Sequence, residues 1–302
     1  MFDNIKMPQG AILSHAFLVQ IGDKMNLREI KNKYTPVVFG AVVSYLFLIK
    51  PSGRKHEDRK YFKKYLYAHR GLHDNSSDAP ENSKEAFKRA VMEGYGVELD
   101  VQLSADKIPV VFHDETLERV CSVKGKVSDY TYNELKEFKL FNSEERIPRL
   151  RDVLKIIDGK VPVIVEIKMP NDDTSVCTIT QPILDAYKGK YCVESFNPMA
   201  VFWYKKHKPD VFRGILSEDY NKSGTVGKPK LLYFFMHHLL FNFLIKPDFV
   251  AYNKKYYDDF SRLLCKKLFN NTAVAWTIKN QEELDRLEKE YDIFIFEGFI
   301  PR

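Results

Sequence analysis

The sequence predicts an α/β fold over residues 66–302 of this 302-residue chain, in the form of a (β/α)8 TIM barrel. Strand-like apolar segments alternate with helical segments there, which is typical of a parallel sheet covered by helices. If one of the nine strand-like segments is a local extra strand, eight βα units remain in about 240 residues, a size that suits such a barrel. The alternative is a doubly wound open sheet, which usually carries a glycine-rich phosphate loop after its first strand. The segment "HRGLHDN" is not such a loop.

The strand segments are defined by short runs of apolar and β-branched residues. The link "SADK" between the second and third segments is too short for a crossover helix, so these two segments should pair antiparallel. The third segment is therefore the local extra strand. In chain order the predicted strands are 66–69, 96–101, 108–114, 161–168, 191–196, 212–216, 248–253, 273–278 and 292–298.

Helices are predicted between these strands from their end signals. Residues 83–94 form one helix, with Asn82 expected as its cap, Glu85 completing a capping box and Gly94 ending it. Thr131 is expected to cap a second helical segment, and residues 149–158 form a third.

Composition restricts the class of protein. Hydrophobic residues make up 44% of the chain, which is enough for a full core, and the net charge of +6 is too small to indicate a nucleic-acid binder. The four cysteines are widely spaced without a C-x-x-C pair, so they are expected to be free thiols.

The N-terminal region differs from the rest. Residues 1–33 resemble no domain and are expected to be a poorly ordered leader, and residues 34–50 are predicted to be a membrane-anchor helix. Its uncharged run would be about 24 Å long, somewhat short of a hydrocarbon core of about 30 Å. A signal peptide and a buried helix are the alternatives. Residues 51–65 are predicted to be a basic linker, and because both flanks of the anchor are basic, the side of the membrane is left open.

Polar residues at strand ends are the candidates for chemistry, because barrel active sites lie at the C-terminal ends of the strands. Glu98 and Asp100 are two residues apart on one strand, so both should point into the barrel, where paired carboxylates are costly without a cation. Oxygen ligands favour Mg²⁺ or Ca²⁺. The full set is His69, Arg70, Glu98, Asp100, His113, Glu166 and Lys168.

The remaining members of this set suit phosphoryl chemistry. Arg70 and Lys168 are permanent donors for an anionic phosphate beside a bound cation. His69 and His113 can form an acid/base pair near neutral pH. His73, although it lies close to His69 in the sequence, is not expected to take part.

A family resemblance follows from the order of six short motifs. These are "HRG" at 69–71, "PEN" at 80–82, "ELD" at 98–100, "HD" at 113–114, "EIK" at 166–168 and "WT" at 276–277. Together they resemble the glycerophosphodiester phosphodiesterase family from residue 66 to the C-terminus. The resemblance implies a barrel with a small insertion after its second strand, here about 102–148. The sequence departs from the family pattern near its C-terminal end, where "FEGFIP" leaves the role of Glu297 open.

The resemblance implies roles for the same residues. Glu98, Asp100 and Glu166 match the family's metal carboxylates, and His69 and His113 match its acid/base histidines. Arg70 and Lys168 match its phosphate-contacting cations, and Trp276 matches an aromatic residue of the substrate pocket. The implied reaction is metal-dependent hydrolysis of a glycerophosphodiester to an alcohol and glycerol 3-phosphate, in which a neighbouring glycerol hydroxyl can be the first nucleophile.

The sequence leaves two alternatives to that function open. One is a phospholipase-D-like hydrolase of lysophospholipids, which the apolar segment 231–245 favours. That segment is expected to be an outer-layer helix or a lid, and a second contact with the membrane is its alternative role. The other is a non-catalytic, membrane-bound receptor for a phosphodiester. His237 and His238, within that segment, are expected to be exposed or hydrogen-bonded and not to be metal ligands. Headgroup preference and oligomeric state are left open.

Overall fold

The computed structural model describes residues 27–302, apart from residues 55, 171 and 226. The chain divides into two compact units, one that ends at Phe47 and one that spans Leu48–Arg302. Apart from residues 27–33, the predicted leader lies outside the described residues.

Helix α1, Leu27–Ile49, contains most of the predicted anchor and begins before its expected start. Pro36 lies inside it. Large apolar side chains along the helix are exposed to solvent, among them Val37, Phe39 and Phe47. Within the described part of the chain, no helix has both the length and the apolar character that crossing a membrane requires.

The predicted barrel is confirmed. The described residues form nine strands in one sheet. Eight of them are parallel to their neighbours and close into a barrel through pairing of β1 with β2, while β3 pairs antiparallel with β2 as the predicted extra strand. The strands are β1 Leu66–Ala68, β2 Gly96–Leu103, β3 Pro109–Val111, β4 Val163–Ile167, β5 Tyr191–Ser195, β6 Arg213–Ser217, β7 Phe249–Asn253, β8 Thr272–Ile278 and β9 Ile293–Phe296.

Helices connect and cover these strands. Those of the Leu48–Arg302 unit are α2 Arg59–Phe62, α3 Lys84–Met92, α4 Glu118–Cys121, α5 Tyr132–Leu135, α6 Leu150–Ile157, α7 Ser175–Ala186, α8 Pro198–His207, α9 Tyr220–Ser223, α10 Lys230–His237, α11 Asn242–Ile245, α12 Phe260–Lys267 and α13 Gln281–Leu287. Short 3-10 turns lie at Val127–Asp129 and Lys254–Tyr256.

Successive side chains along each strand point to opposite faces of the sheet, and they form two apolar layers. Val97, Leu99 and Val101 of β2 face the helices, as predicted, whereas Ile164 and Phe249 belong to the cluster inside the barrel. Gly214 makes room for that interior packing, since a Cβ there would lie 2.0 Å from the Phe249 ring. The lower part of the barrel is therefore filled with side chains.

The segment predicted as a basic linker, residues 51–65, packs on the barrel. Phe62 of α2 is fully buried in the interior cluster. Arg54 pairs with Asp248 at 2.6 Å, and Lys63 pairs with Asp292 at 2.6 Å. Burial of an aromatic ring inside the barrel holds this segment in place, so it forms part of the barrel unit.

The insertion between β2 and β4 has its own small core. Buried apolar residues of β3 and the short helices pack together there, including Phe112, Leu117 and Leu135. Thr131 caps α5 in a capping box with Glu134, as its sequence predicted.

Two local predictions were wrong. Ser83, not Asn82, caps α3, because its hydroxyl accepts a hydrogen bond from Ala86 N at 3.0 Å. Asn82 takes a left-handed conformation and turns its side chain toward Asp100. Segment 231–245 is not one helix: it breaks between α10 and α11, where Leu239 has a positive φ.

Candidate active site

Side chains from several strand ends converge on a cavity of about 390 Å³ at the C-terminal mouth of the barrel. Active sites of (β/α)8 barrels lie at this end of the strands. The cavity contains most of the predicted site residues. It is lined by His69, Arg70, Glu98, His113, Glu166, Glu194, Phe196, Leu216, Glu218, Trp276, Thr277, Ile295 and Glu297.

Three carboxylates meet on the floor of the site. Glu98 and Asp100 project from the same face of β2, and strand register places Glu166 of β4 directly beside Asp100. All three are buried, and each contributes one oxygen to a group in which the atoms lie within 4.8 Å of one another. The sequence prediction that these residues would lie together is therefore confirmed.

Lys168 lies among these carboxylates. Its Nζ is 2.7 Å from Glu166 Oε1 and 3.0 Å from Asp100 Oδ1. Burial lowers the pKa of Lys168, but Asp100 and Glu166 outweigh it and raise that pKa above its usual value. Lys168 therefore remains charged.

The buried carboxyl groups differ in how readily they ionise. Burial, and then the neighbouring Asp100 and Glu166, raises the pKa of Glu98 well above its ordinary value. Burial also raises the pKa of Asp100, but the nearby positive groups, Lys168 first, outweigh it and lower that pKa. Such uneven ionisation is expected where like charges share a buried site.

This donor set fits a divalent cation. It consists of carboxylate oxygens, which Mg²⁺ and Ca²⁺ prefer. One oxygen of each carboxylate lies within 4.8 Å of the others, which is close enough for all three to contact one ion. Lys168 is the cation that now faces Asp100 Oδ1, at 3.0 Å.

His69 is oriented by a carboxylate that the sequence left unassigned. Its Nδ1 donates a hydrogen bond to Glu297 Oε2, and its Nε2 lies 3.9 Å from Glu98 Oε2. Burial, and then the charge of Arg70, lowers the pKa of His69 well below its usual value. A neutral imidazole held at Nδ1 presents Nε2 to the cavity as the reactive nitrogen.

His113 has an equivalent arrangement. Its Nδ1 donates to Asp114 Oδ1 at 2.6 Å, so Nε2 is again the nitrogen left for chemistry. Asp114 is held in turn by Arg119 of the insertion, whose Nε lies 2.6 Å from Asp114 Oδ2. The insertion thus fixes one of the two catalytic candidates.

Glu81 connects the insertion to Arg70. It accepts hydrogen bonds from Arg119 and, at 2.7 Å, from Arg70 Nη1. Burial raises the pKa of Glu81, but the two arginines outweigh it and lower the pKa to about 2. Asn82, next in the chain, donates to Asp100 Oδ2 at 2.8 Å. The "PEN" motif therefore holds both a cation and a carboxylate of the site.

The turn after β1 brings Arg70 to this position. Arg70 has a positive φ and donates its backbone N–H to Glu98 Oε2 at 2.9 Å. Gly71 also has a positive φ, and a Cβ there would lie 2.9 Å from Ala86. His73 donates to the His69 carbonyl at 2.8 Å and lies outside the catalytic cavity, as expected.

Trp276 lines the cavity, as the resemblance implies, and meets Phe196 edge-on with ring centroids 5.4 Å apart. Together the two rings form an apolar wall beside the charged floor.

Sequence reasoning missed four acidic residues of the site. Glu194 is the penultimate residue of β5, and its register neighbour is Glu166, so the strand-end rule that found Glu166 would have found it. Glu218 follows β6, and Asp114 is next to His113. Glu81 had no strand-end signal, because it lies in a loop and acts through Arg70.

Known proteins resemble this chain in sequence and fold. The profile of the glycerophosphoryl diester phosphodiesterase family matches residues 69–291. A glycerophosphodiester phosphodiesterase of Caldanaerobacter subterraneus subsp. tengcongensis is 30% identical over 239 residues, which are 75% of this chain and 90% of that protein. Human glycerophosphodiester phosphodiesterase 1 is 27% identical over 241 residues, covering 72% of each chain.

A solved structure shares the fold. It is an Oleispira antarctica phosphodiesterase in complex with the product sn-glycerol-3-phosphate, with a TM-score of 0.65 and 23% identity, covering 79% of this chain and 94% of that one. The chain belongs to the glycerophosphoryl diester phosphodiesterase family and is an enzyme of that class, a phosphoric diester hydrolase.

Proposed function

We propose that this enzyme hydrolyses glycerophosphodiesters to an alcohol and glycerol 3-phosphate in phospholipid and glycerol metabolism, with Mg²⁺ or Ca²⁺ as its cofactor. The observation that carries the proposal is the pair of histidines, each held at Nδ1 by a carboxylate, around one cavity with three clustered carboxylates. The product named for the Oleispira antarctica structure supports the same chemistry.

Binding of the diester phosphate would depend on the cations of the site. Glu98, Asp100 and Glu166 would hold the divalent cation, which when bound withdraws charge from the phosphoryl oxygens. Arg70 is held by Glu81, and its buried Nε lies 3.6 Å from Asp100 Oδ2. The guanidinium can bind a phosphate oxygen and stabilise the charge that grows there in the transition state.

The two histidines would move the protons. One accepts the proton of the attacking hydroxyl, from water or a neighbouring substrate hydroxyl, as the new phosphorus–oxygen bond forms. The other donates a proton to the leaving alcohol oxygen as its bond to phosphorus breaks, so the protons balance. Because both imidazoles are held at Nδ1, both transfers use Nε2.

A lysophospholipid substrate is the second candidate, and helix α10 is the observation that favours it. Leu231 and Phe234 of α10 are 69% and 47% exposed. The buried side of α10 packs, through Tyr233 and Met236, in a cluster that includes Phe196 of the cavity wall. An acyl chain could rest on the exposed apolar side of this helix, whose buried side contacts the cavity wall.

Attachment to a membrane through residues 34–50 stays a proposal, as does contact through segment 231–245. Support comes from the exposed apolar side chains of α1, including Val38, Val42 and Val43. The test is flotation of the full chain with liposomes, compared with a chain that begins at Leu48, the first residue of the barrel unit. Equal flotation of the two would refute attachment through α1.

The activity itself is tested with a substrate panel. The full chain is incubated with glycerophosphocholine, glycerophosphoethanolamine, glycerophosphoglycerol and lysophosphatidylcholine, each with Mg²⁺, with Ca²⁺ or with EDTA. We expect metal-dependent release of glycerol 3-phosphate from the first three. Turnover of lysophosphatidylcholine alone would favour the second candidate, and no turnover of any diester would refute both.

A further inference from the structure

A second cluster of metal-ligating side chains lies outside the catalytic cavity. His237 and His238 are at the end of α10, and Asp259 precedes α12. Each offers one ligand atom, and these atoms lie within 4.8 Å of one another. None of the three lines the cavity around His69.

The carboxylate of this cluster is fixed by the helix that it caps. Asp259 Oδ1 accepts a hydrogen bond from Arg262 N at 3.0 Å. The other oxygen, Oδ2, lies 2.9 Å from His237 Nε2. This is hydrogen-bond distance, whereas two ligands each about 2.0–2.2 Å from a tetrahedral Zn²⁺ lie about 3.4 Å apart, so an ion would take the place of the shared proton and widen this contact slightly.

His237 also has the arrangement expected behind a metal ligand. Its Nδ1 is buried, has no hydrogen-bond partner among the described residues, and lies 3.6 Å from Asp219 Oδ1. Asp219 is itself anchored, since Oδ1 accepts from Lys222 N at 3.1 Å. Imidazoles that bind a metal through one nitrogen usually face a carboxylate with the other.

His238 completes the group. Its ring stacks on that of His237 with centroids 4.2 Å apart and an angle of 14° between the planes, so the His238 ring would have to rotate to direct a nitrogen at an ion that His237 also binds. The side chains of His237 and Asp259 are only 12% and 10% exposed, so a simple surface ion pair does not describe them.

The donor atoms differ from those of the catalytic site. Two imidazole nitrogens with one carboxylate oxygen suit Zn²⁺ and its neighbours among the transition metals, whereas Mg²⁺ and Ca²⁺ prefer oxygen alone. We propose that His237, His238 and Asp259 form a second metal site, of the Zn²⁺ class, that ties α10 to the start of α12.

The consequence is structural. Helix α10 packs against Phe196 of the cavity wall, and Asp219 follows Glu218, which lines the cavity. An ion that joins α10 to α12 would hold the rim of the active site in one position without touching the substrate.

Metal binding by the full chain tests this directly. After removal of metals with a chelator, Zn²⁺ is titrated by calorimetry in excess Mg²⁺, which keeps the catalytic carboxylates occupied. Co²⁺ absorption gives a second readout, because its visible spectrum reports nitrogen ligation. We expect one Zn²⁺ per chain in the wild type and in Glu98→Gln.

Asp259→Asn is the critical variant, because asparagine still caps a helix but brings no carboxylate. It should weaken Zn²⁺ binding at least about tenfold, and His238→Gln should do the same if the first variant folds poorly. His207→Gln is the control, since His207 is an exposed histidine at the end of α8. No Zn²⁺ binding, or binding that Glu98→Gln abolishes and Asp259→Asn preserves, would overturn the proposal.

Discussion

Replacing Glu297 by glutamine tests whether a carboxylate outside the expected set positions His69. Glu297 Oε2 accepts from His69 Nδ1, while Oε1 pairs with Lys279, and the side chain is 18% exposed. Glutamine keeps the shape but loses the charge, and its amide can present a donor where His69 needs an acceptor. The variant should therefore hold the His69 ring less firmly in its orientation and stabilise the protonated imidazole less.

The magnitude follows from the bond that is lost. A hydrogen bond to a charged group contributes about 1.5–3 kcal/mol. If the bond acts mainly when the imidazole gains a proton, the rate constant falls by about 10- to 150-fold. His69→Ala, which removes the proton carrier itself, should cost about 100- to 10,000-fold. Because Glu297 positions His69, kcat should fall while KM changes little.

The assay is steady-state release of glycerol 3-phosphate from glycerophosphocholine. Lys279→Met is the matched control, because it removes the other partner of Glu297, is 55% exposed and does not touch His69. We expect the control to remain within about threefold of the wild type, as an exposed ion pair contributes little. A Glu297→Gln enzyme as active as the wild type, or a control equally impaired, would refute the positioning role.

Three further predictions concern binding and stability. Glu98→Gln should weaken binding of the catalytic cation at least about 100-fold, because loss of even an outer-shell partner costs about 10- to 100-fold in metal affinity. Calorimetry measures that affinity, and an unchanged value would place the cation elsewhere. Glu81 has a pKa of about 2 against an ordinary 4.5, so its ionised form adds about 3 kcal/mol to the free energy of unfolding above pH 4.5. That contribution is lost as the pH falls toward 2. In urea unfolding, the difference in the free energy of unfolding between wild type and Glu81→Gln should therefore shrink over this pH range. A difference that stays constant with pH would contradict the linkage. Gly214→Ala places a Cβ 2.0 Å from the Phe249 ring and should cost about 1–3 kcal/mol in the same measurement; full stability would mean that the ring moves freely.

The barrel could be predicted because its signals are local. Each strand is a short apolar run, and polar residues such as Glu98 and Glu166 interrupt those runs at positions that face the site. The spacing of Glu98 and Asp100 was enough to place both inside the barrel, and the register confirms it.

The supporting shell could not be predicted from such signals. Arg119 reaches Glu81 from the insertion, and Glu297 reaches His69 from the other end of the chain. These contacts depend on how distant segments pack. Asn82 shows the same limit, because its sequence position suits a helix cap, but its side chain serves Asp100.

The N-terminal region shows what composition leaves out. The basic residues before β1 predicted a basic linker, and composition did not indicate that Arg54 and Lys63 pair with Asp248 and Asp292 on the barrel. Burial of Phe62, one aromatic side chain among many charged ones, determines where the segment lies.

Metal reconstitution of the full enzyme tests the central claim most directly. Enzyme treated with a chelator is given glycerophosphocholine, and release of glycerol 3-phosphate is followed before and after addition of Mg²⁺ or Ca²⁺. We predict that activity is absent before the addition and restored after it, and that His113→Ala stays at least about 100-fold slower with metal present. Full activity without metal, or a His113→Ala enzyme as fast as the wild type, would contradict the account.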